Sequence, residues 1–235
     1  MEIDPTSAGL RQIRFVLPGD ATRVVLVRHG ESAAVEPGRP QATIDGQGDP
    51  DLHPEGLRQA EAVAERLARE DIAAIYVSTL RRTLQTARPL LRRLSMEARI
   101  EPRLREVHLG EWEGGVYRMK LAERHPIALQ MTREQRWDII PGVEDPTHFR
   151  QRVETAVAVL AGRHAGQTIV VVTHRNVIGH LVAHACGARH NAFNGAENGS
   201  ISEIVVSPAG STVRSFNETG HLRDQDAERH LSPTA

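Results

Sequence analysis

The chain has 235 residues, with 29 Lys and Arg against 30 Asp and Glu for a formal net charge of -1, which gives no bulk field to gather nucleic acid or an anionic membrane, so any anion must be held locally. Its single cysteine, Cys186, excludes an internal disulfide and is expected to be a buried small hydrophobe in a reducing cytoplasm. No apolar run is long enough to span a bilayer, and acids stand where a signal peptide would be basic and then apolar, so a cytoplasmic protein of one domain is expected.

Residues 1–20 mix polar, Gly and Pro positions with a short apolar patch and read as a partly ordered N-terminal extension. Arg23 to Arg28, with its VVLV core, reads as a strand buried on both faces that delivers His29, Gly30, Glu31 and Ser32 to a loop. Residues 33–51, rich in Pro, Gly and Asp, predict a long loop, and a helix follows from Pro54 with Leu57, Ala60, Ala64 and Leu67 on one face. Ile72 to Val77 is a second buried strand, after which Ser78 and Thr79 cap a helix running toward Leu94. A short strand near Arg99 and Ile100 precedes an irregular stretch holding Glu106, His108 and Trp112. Residues 115–145 predict an inserted helical cap, and Phe149, Val153, Val157 and Leu160 mark a further helix. Thr168 to Val172 is the third buried strand, ending in Thr173 and His174 before a helix over Val177 to Cys186. Ile201–Val206 and Thr212–Phe216 make a closing pair of strands. The fold class expected is α/β: a single-domain, mainly parallel, doubly wound sheet with helices on both faces. The domain occupies 21–220, with a small helical and loop cap at 115–145 and a tail over 221–235.

Three buried strands end in cations or imidazoles: Arg28 and His29 after the first, Arg81 just inside the helix after the second, His174 after the third. In an open parallel sheet these ends share one rim, where ligands sit. Two imidazoles, two guanidiniums and one carboxylate, Glu106, suit phosphoryl transfer through nitrogen. A neutral imidazole is the nucleophile, kept neutral by nearby cations. Guanidiniums hold non-bridging oxygens in bidentate fashion, and the carboxylic acid protonates the leaving oxygen before activating water. Gly30 is read as structural, because a turn beside bound phosphate leaves no room for a side chain. His180 and His184, four apart, are read as ordinary helix residues rather than a zinc pair, for want of a third ligand.

The segments LVRHGES from Leu26, STLRRTLQTA from Ser78, LREVHLGEWEG from Leu104 and VTHRNVIGHL from Val172 resemble, in order, the four signature segments of the histidine phosphatase superfamily, phosphoglycerate mutase-like branch. The resemblance extends from about Val24 to Phe216 and implies a doubly wound sheet and no metal or other cofactor. It makes His29 the phospho-acceptor, Arg28, Arg81 and His174 the phosphate pocket, and Glu106 the proton donor. His108 and Trp112 are expected to support and pack the pocket edge. Departures are Val35 where members carry Asn, Asp45 where phosphatases often have Gln, His53 in place of Thr or Ser, and Arg175 in place of Gly. A positive φ at Arg175 would cost on the order of 1 kcal/mol. Asp45 and His53 are expected to meet a polar or cationic part of the substrate, and Arg175 a second anionic group.

The resulting expectation is a metal-independent phosphatase acting on a small-molecule phosphate ester through a phosphohistidine, with neither nucleic acid nor membrane as partner. A homodimer is left open. Three alternatives stand beside it: a phosphoglycerate mutase-type transferase, which the short stretch between Glu106 and His174 disfavours; a catalytically weak regulatory or binding member of the same fold; and a phosphoprotein phosphatase, which a narrow cap would exclude.

Overall fold

A computed structural model describes residues 12–36, 38, 39, 41–189 and 191–223. Most of the expected N-terminal extension and C-terminal tail therefore lies outside the described residues. Strand β1 (Thr22–Arg28) is followed by a hairpin of β2 (Thr43–Ile44) and β3 (Gln47–Gly48), helix α1 (Pro54–Leu67), β4 (Ala74–Val77), α2 (Arg81–Leu94) and β5 (Ala98–Ile100). Two short 3-10 turns lead into α3 (Val116–Ala122) and α4 (Pro126–Glu134), then α5 (Pro146–Arg163), β6 (Thr168–Thr173), α6 (Arg175–Ala185), β7 (Ile201–Ser207) and β8 (Gly210–Glu218).

Six strands form the main sheet in the order β5-β4-β6-β1-β7-β8. The first four run parallel, and β7 and β8 close one edge antiparallel. The expected doubly wound sheet is thus the observed one, and the sequence cause is visible in β1. Val24 and Leu26 enter one core with α5 and α6 residues such as Phe149, Val153 and Ile178. Val25 and Val27 enter the other, with Val63 and Leu67 of α1 and Leu90 of α2. Side chains that alternate between two apolar layers need an unbroken apolar run.

The parallel register brings the functional ends level. Val27 pairs with Val172 and Arg28 with Thr173, while Val77 also pairs with Val172. His29, Ser78 and His174 therefore leave neighbouring strands at one rim, the C-terminal edge, where such sheets bind ligands. Over this rim α3 and α4 form a cap around a small core of Trp112, Ala128, Met131 and Ile140. Among the described residues, no helix is long and apolar enough to cross a membrane.

Four local expectations need correction. The loop over 33–51 contains the β2–β3 hairpin, whose turn places Asp45 at φ 49° and Gly46 at φ 77°. Ser78 and Thr79 do not cap α2: the helix starts at Arg81 with Leu80 at its N-cap, and Asp49 accepts from the Arg81 backbone N–H at 2.7 Å instead. Gly30 is small for another reason than bound phosphate, since a Cβ there would lie 2.3 Å from the Gly56 carbonyl oxygen of α1. Cys186 is exposed, because it is the C-cap of α6, past the last turn that faces the core.

Candidate active site

The first strand supplies His29. Its Nδ1 lies 2.7 Å from the Gly30 carbonyl oxygen; a carbonyl only accepts, so Nδ1 carries the proton and Nε2 keeps its lone pair. Arg82 Nε donates to that Nε2 at 3.3 Å, and the His174 ring stands edge-on with centroids 5.1 Å apart. Burial, then the charges of Arg82 and Arg28, hold His29 well below the usual imidazole range. His174 is held low by burial and by Arg82, and its Nε2 is bonded to Ser78 Oγ at 2.9 Å. Both rings are therefore neutral near pH 7.

Arg28 and Arg82 bring two guanidiniums to this point. Arg28 donates through Nη1 to the Ala196 carbonyl at 2.7 Å, and burial together with Arg175 lowers its pKa to about 10. Arg82 donates through Nη1 to the Gly48 carbonyl at 2.9 Å, and burial lowers its pKa too. Arg28 Nε and His174 Nδ1 are buried without hydrogen-bond partners among the described residues. Polar atoms in that state are costly unless an acceptor reaches them, and a phosphoryl oxygen is such an acceptor.

Glu106 completes the set. Its Oε1 accepts from the Val107 N–H at 2.9 Å and its Oε2 from the Asn176 N–H at 3.2 Å. Those bonds, with Arg82 and Arg28, oppose a larger burial effect, and the net result is a raised pKa. Its position is fixed from behind: Gln47 Nε2 and Arg152 Nη2 donate to its carbonyl at 2.8 and 2.9 Å. Arg152, paired with Glu144 at 2.7 Å, also holds the carbonyls of Arg103 and Arg105. Sequence reasoning missed Gln47, Glu144 and Arg152, because nothing local marks residues whose partners are distant backbone carbonyls.

Arg28, His29, Arg82, Glu106 and Arg175 line one cleft of about 820 Å³ under the cap, with buried His174 packed against His29. Three expected site residues lie elsewhere. Arg81 points away from the cleft, 46% exposed, bonded to Asp49 at 2.9 Å and Asp51 at 3.3 Å; Arg82 takes the place expected for it. One residue of an α-helix is a turn of about 100°, so both cannot face the strand ends. The signal was present: the buried positions Leu90 and Thr86 of α2, stepped back by four, lead to Arg82. Asp45 is 73% exposed and paired with Arg105 at 2.7 Å. His53 is the exposed N-cap of α1, its Nδ1 accepting from the Glu55 N–H at 3.2 Å. Neither meets the cleft.

Val35 packs its methyls toward Gly115 of the cap rather than offering a hydrogen bond. Arg175 opens α6 in helical conformation, without a positive φ and hence without the expected cost. His108 Nδ1 accepts from the Gly110 N–H at 3.0 Å, and Trp112 is buried in the cap core at the cleft wall. His180 and His184 share Glu154, at 2.8 and 3.4 Å. Among the described residues no cluster of three or more His, Cys, Asp or Glu could hold a metal ion.

A doubly wound sheet whose strand ends converge two neutral imidazoles, two buried guanidiniums and a protonatable carboxyl defines a protein that handles phosphoryl groups. The chain belongs to the histidine phosphatase superfamily (branch 1), whose family model matches residues 24–219, and it is a phosphatase-type enzyme of that family. It is similar to phosphoserine phosphatase 1 of Hydrogenobacter thermophilus, 30% identical over 88% of this chain and 98% of that protein. It is also similar to a metal-independent phosphoserine phosphatase of Arabidopsis thaliana, 37% identical over 68% of this chain and 66% of that one. Among solved structures, a mycobacterial glucosyl-3-phosphoglycerate phosphatase superposes with a TM-score of 0.70 at 27% identity, over 85% of this chain and 100% of the other.

Proposed function

We propose that the chain hydrolyses a small soluble phosphomonoester through a phosphohistidine on His29. The observation that carries this reading is the His29 ring itself: Nδ1 is committed to the Gly30 carbonyl, and the Nε2 lone pair faces the Arg82 guanidinium 3.3 Å away. In the first step the Nε2–P bond forms while the P–O bond to the leaving group breaks, and Glu106 gives its proton to the departing oxygen. In the second, a water oxygen bonds to phosphorus, the Nε2–P bond breaks, and the water proton passes to Glu106. Arg28, Arg82 and His174 hold the non-bridging oxygens, where charge grows in the transition state. Burial of Glu106 supports its role, since only a raised pKa leaves a carboxyl protonated to begin the cycle.

The near-zero net charge supports a small diffusible substrate in the cytoplasm over nucleic acid or a membrane lipid. Phosphatase relatives favour hydrolysis over return of the phosphoryl group to a second hydroxyl. Rapid quench with a substrate labelled in its phosphoryl group tests the reading. An acid-labile, base-stable phosphoprotein is expected with wild type and not with His29→Ala, with inorganic phosphate as the product. Label on the protein in His29→Ala refutes the nucleophile, and an isomerised ester in place of phosphate refutes the hydrolysis.

A further inference from the structure

Two guanidiniums without a carboxylate partner remain at the cleft once the transferred phosphate is matched. Arg118, reaching down from α3, and Arg175, at the start of α6, line the same cleft as Arg28 and Arg82. Their acceptors are neutral oxygens. Arg118 donates to Ser32 Oγ at 2.7 Å and to the Ala33 carbonyl at 2.9 Å, and Arg175 Nε donates to the Asn194 carbonyl at 2.6 Å. Neither has a carboxylate within ion-pair distance among the described residues. Arg136, which also lines the cleft, is paired with Asp138 at 2.7 Å, and exposed arginines elsewhere, such as Arg81 and Arg92, likewise have a carboxylate.

The charge balance of the cleft is therefore lopsided. Arg175 is the foremost charge acting on Arg28, and Arg118 acts on Arg28, His29 and Arg82, so all four cations share one field. Against them stand Glu113, whose oxygens accept from the Gly48 and Leu109 N–H groups at 2.7 Å each, and a phosphate dianion, with Glu106 carrying the proton that the cycle proposed above requires. One positive charge is left without a counterpart. Tyr117 lies in the same field, acted on by Arg175, Arg28 and Glu106, and its hydroxyl has no hydrogen-bond partner among the described residues.

We propose that Arg175, with the Tyr117 hydroxyl and Arg118 lining the same cleft, forms a second anion subsite, and that the substrate is a phosphomonoester whose leaving group carries a further carboxylate or phosphate. The proposal rests on hydrolysis at His29 as set out above. The phosphoryl end sits at His29 between Arg28 and Arg82, and the second anion meets the Arg175 fork, whose Nη groups donate to the oxygens of a planar bidentate acceptor. Asp45 and His53 take no part, being outside the cleft.

Matched pairs that differ in one anionic group test this: phosphoserine with phosphoethanolamine, 3-phosphoglycerate with glycerol 1-phosphate, and fructose 1,6-bisphosphate with fructose 6-phosphate. Wild type is expected to favour the doubly anionic member in kcat/KM by roughly tenfold in at least one pair, the scale of a charge-assisted bond at a partly exposed site. Arg175→Gln is expected to bring that ratio close to one, and Arg175→Lys to keep part of it. A ratio near one throughout the wild-type panel overturns the subsite, as does an Arg175→Gln variant that slows both members equally, which would make Arg175 a prop for Asn194 alone. Binding without turnover gives an independent reading through thermal shift with phosphonoacetate against methylphosphonate. Stronger stabilisation by phosphonoacetate, lost in Arg175→Gln, supports the subsite, and equal stabilisation overturns it. Absence of phosphate release from every ester, p-nitrophenyl phosphate included, counts against hydrolysis at His29, and the phosphonate pair then decides the subsite separately.

Discussion

Replacing Arg82 and Arg81 in turn, each by Met to keep an unbranched stem of similar length, separates two neighbours that the sequence motif leaves equivalent. Arg82 is 8% exposed with its Nε 3.3 Å from the nucleophilic nitrogen, so its charge is delivered where the transferred oxygens gather, away from screening water. Loss of one such preorganised donor costs roughly 2.7–4 kcal/mol of transition-state stabilisation, or a 10²- to 10³-fold fall in kcat. Arg81 reaches the buried Asp49 and the exposed Asp51 with its own side chain 46% exposed, and a pair whose cation stands half in water contributes about 1 kcal/mol. The Arg81 backbone N–H still caps Asp49 in the variant, so kcat/KM is expected within about threefold of wild type. Stability gives the second half of the test. A buried guanidinium without a carboxylate costs desolvation free energy, so Arg82→Met is expected to melt no lower than wild type while losing activity. Steady-state hydrolysis of p-nitrophenyl phosphate and thermal melts of both variants decide it. An Arg81→Met enzyme as crippled as Arg82→Met, or an Arg82→Met enzyme that is merely unfolded, refutes the reasoning.

Further outcomes follow from the carboxyl, the rings and the closest backbone approach. Glu106→Gln is expected to lower kcat by about 10²- to 10⁴-fold for alkyl phosphates and by much less for p-nitrophenyl phosphate, whose leaving group needs no proton; an equal loss for both refutes the acid role. The reaction needs His29 neutral, above its lowered pKa, and Glu106 protonated, below its raised one. The acid limb of kcat/KM is thus expected below pH 6.5 and the alkaline limb above 4.5, with the alkaline limb absent in Glu106→Gln. The same two rings have lowered folded-state pKa values, so their contribution to stability is present above pH 6.5 and lost as the pH falls, which urea midpoints across pH 4–8 should show. Gly56→Ala in α1 would ordinarily gain up to about 1 kcal/mol of helix stability. Its Cβ would fall 2.1 Å from the Glu31 carbonyl oxygen, and overpacking of about 1–3 kcal/mol should win. A variant more stable than wild type in chemical denaturation would show that the loop yields freely.

Much of the architecture is readable from local pattern because the strands are buried on both faces. Runs such as Val24 to Val27 and Ile169 to Val172 are bounded, β-branched and short, as central strands covered on both faces are, and their C-terminal ends then fix where His29 and His174 emerge. The choice between Arg81 and Arg82 was equally open to a reading of helix phase, since the stripe through Thr86 and Leu90 passes through Arg82; motif position without phase misplaces the charge. Asp45 and His53 show the opposite limit. Each lies beside an informative segment, yet a left-handed turn carries Asp45 out to Arg105, and the α1 N-cap role of His53 is set by its own helix start.

What the sequence conceals most is support across long separations. Gln47 comes from one remote stretch and Glu144 with Arg152 from another, and together they hold the main chain over Arg103 to Glu106. No periodicity reports this, because the groups recognised are backbone carbonyls, the same at every residue. The cap shows the same limit: Gly115 at φ 100° opens α3 in close approach to Val35, and Arg118 of that helix lines the cleft. Val35 fills that approach, and Arg118 bonds Ser32 and Ala33 of the nucleophile loop. The departure from the family pattern at Val35 thus acts through packing, and a cation from the cap lines the cleft beside it.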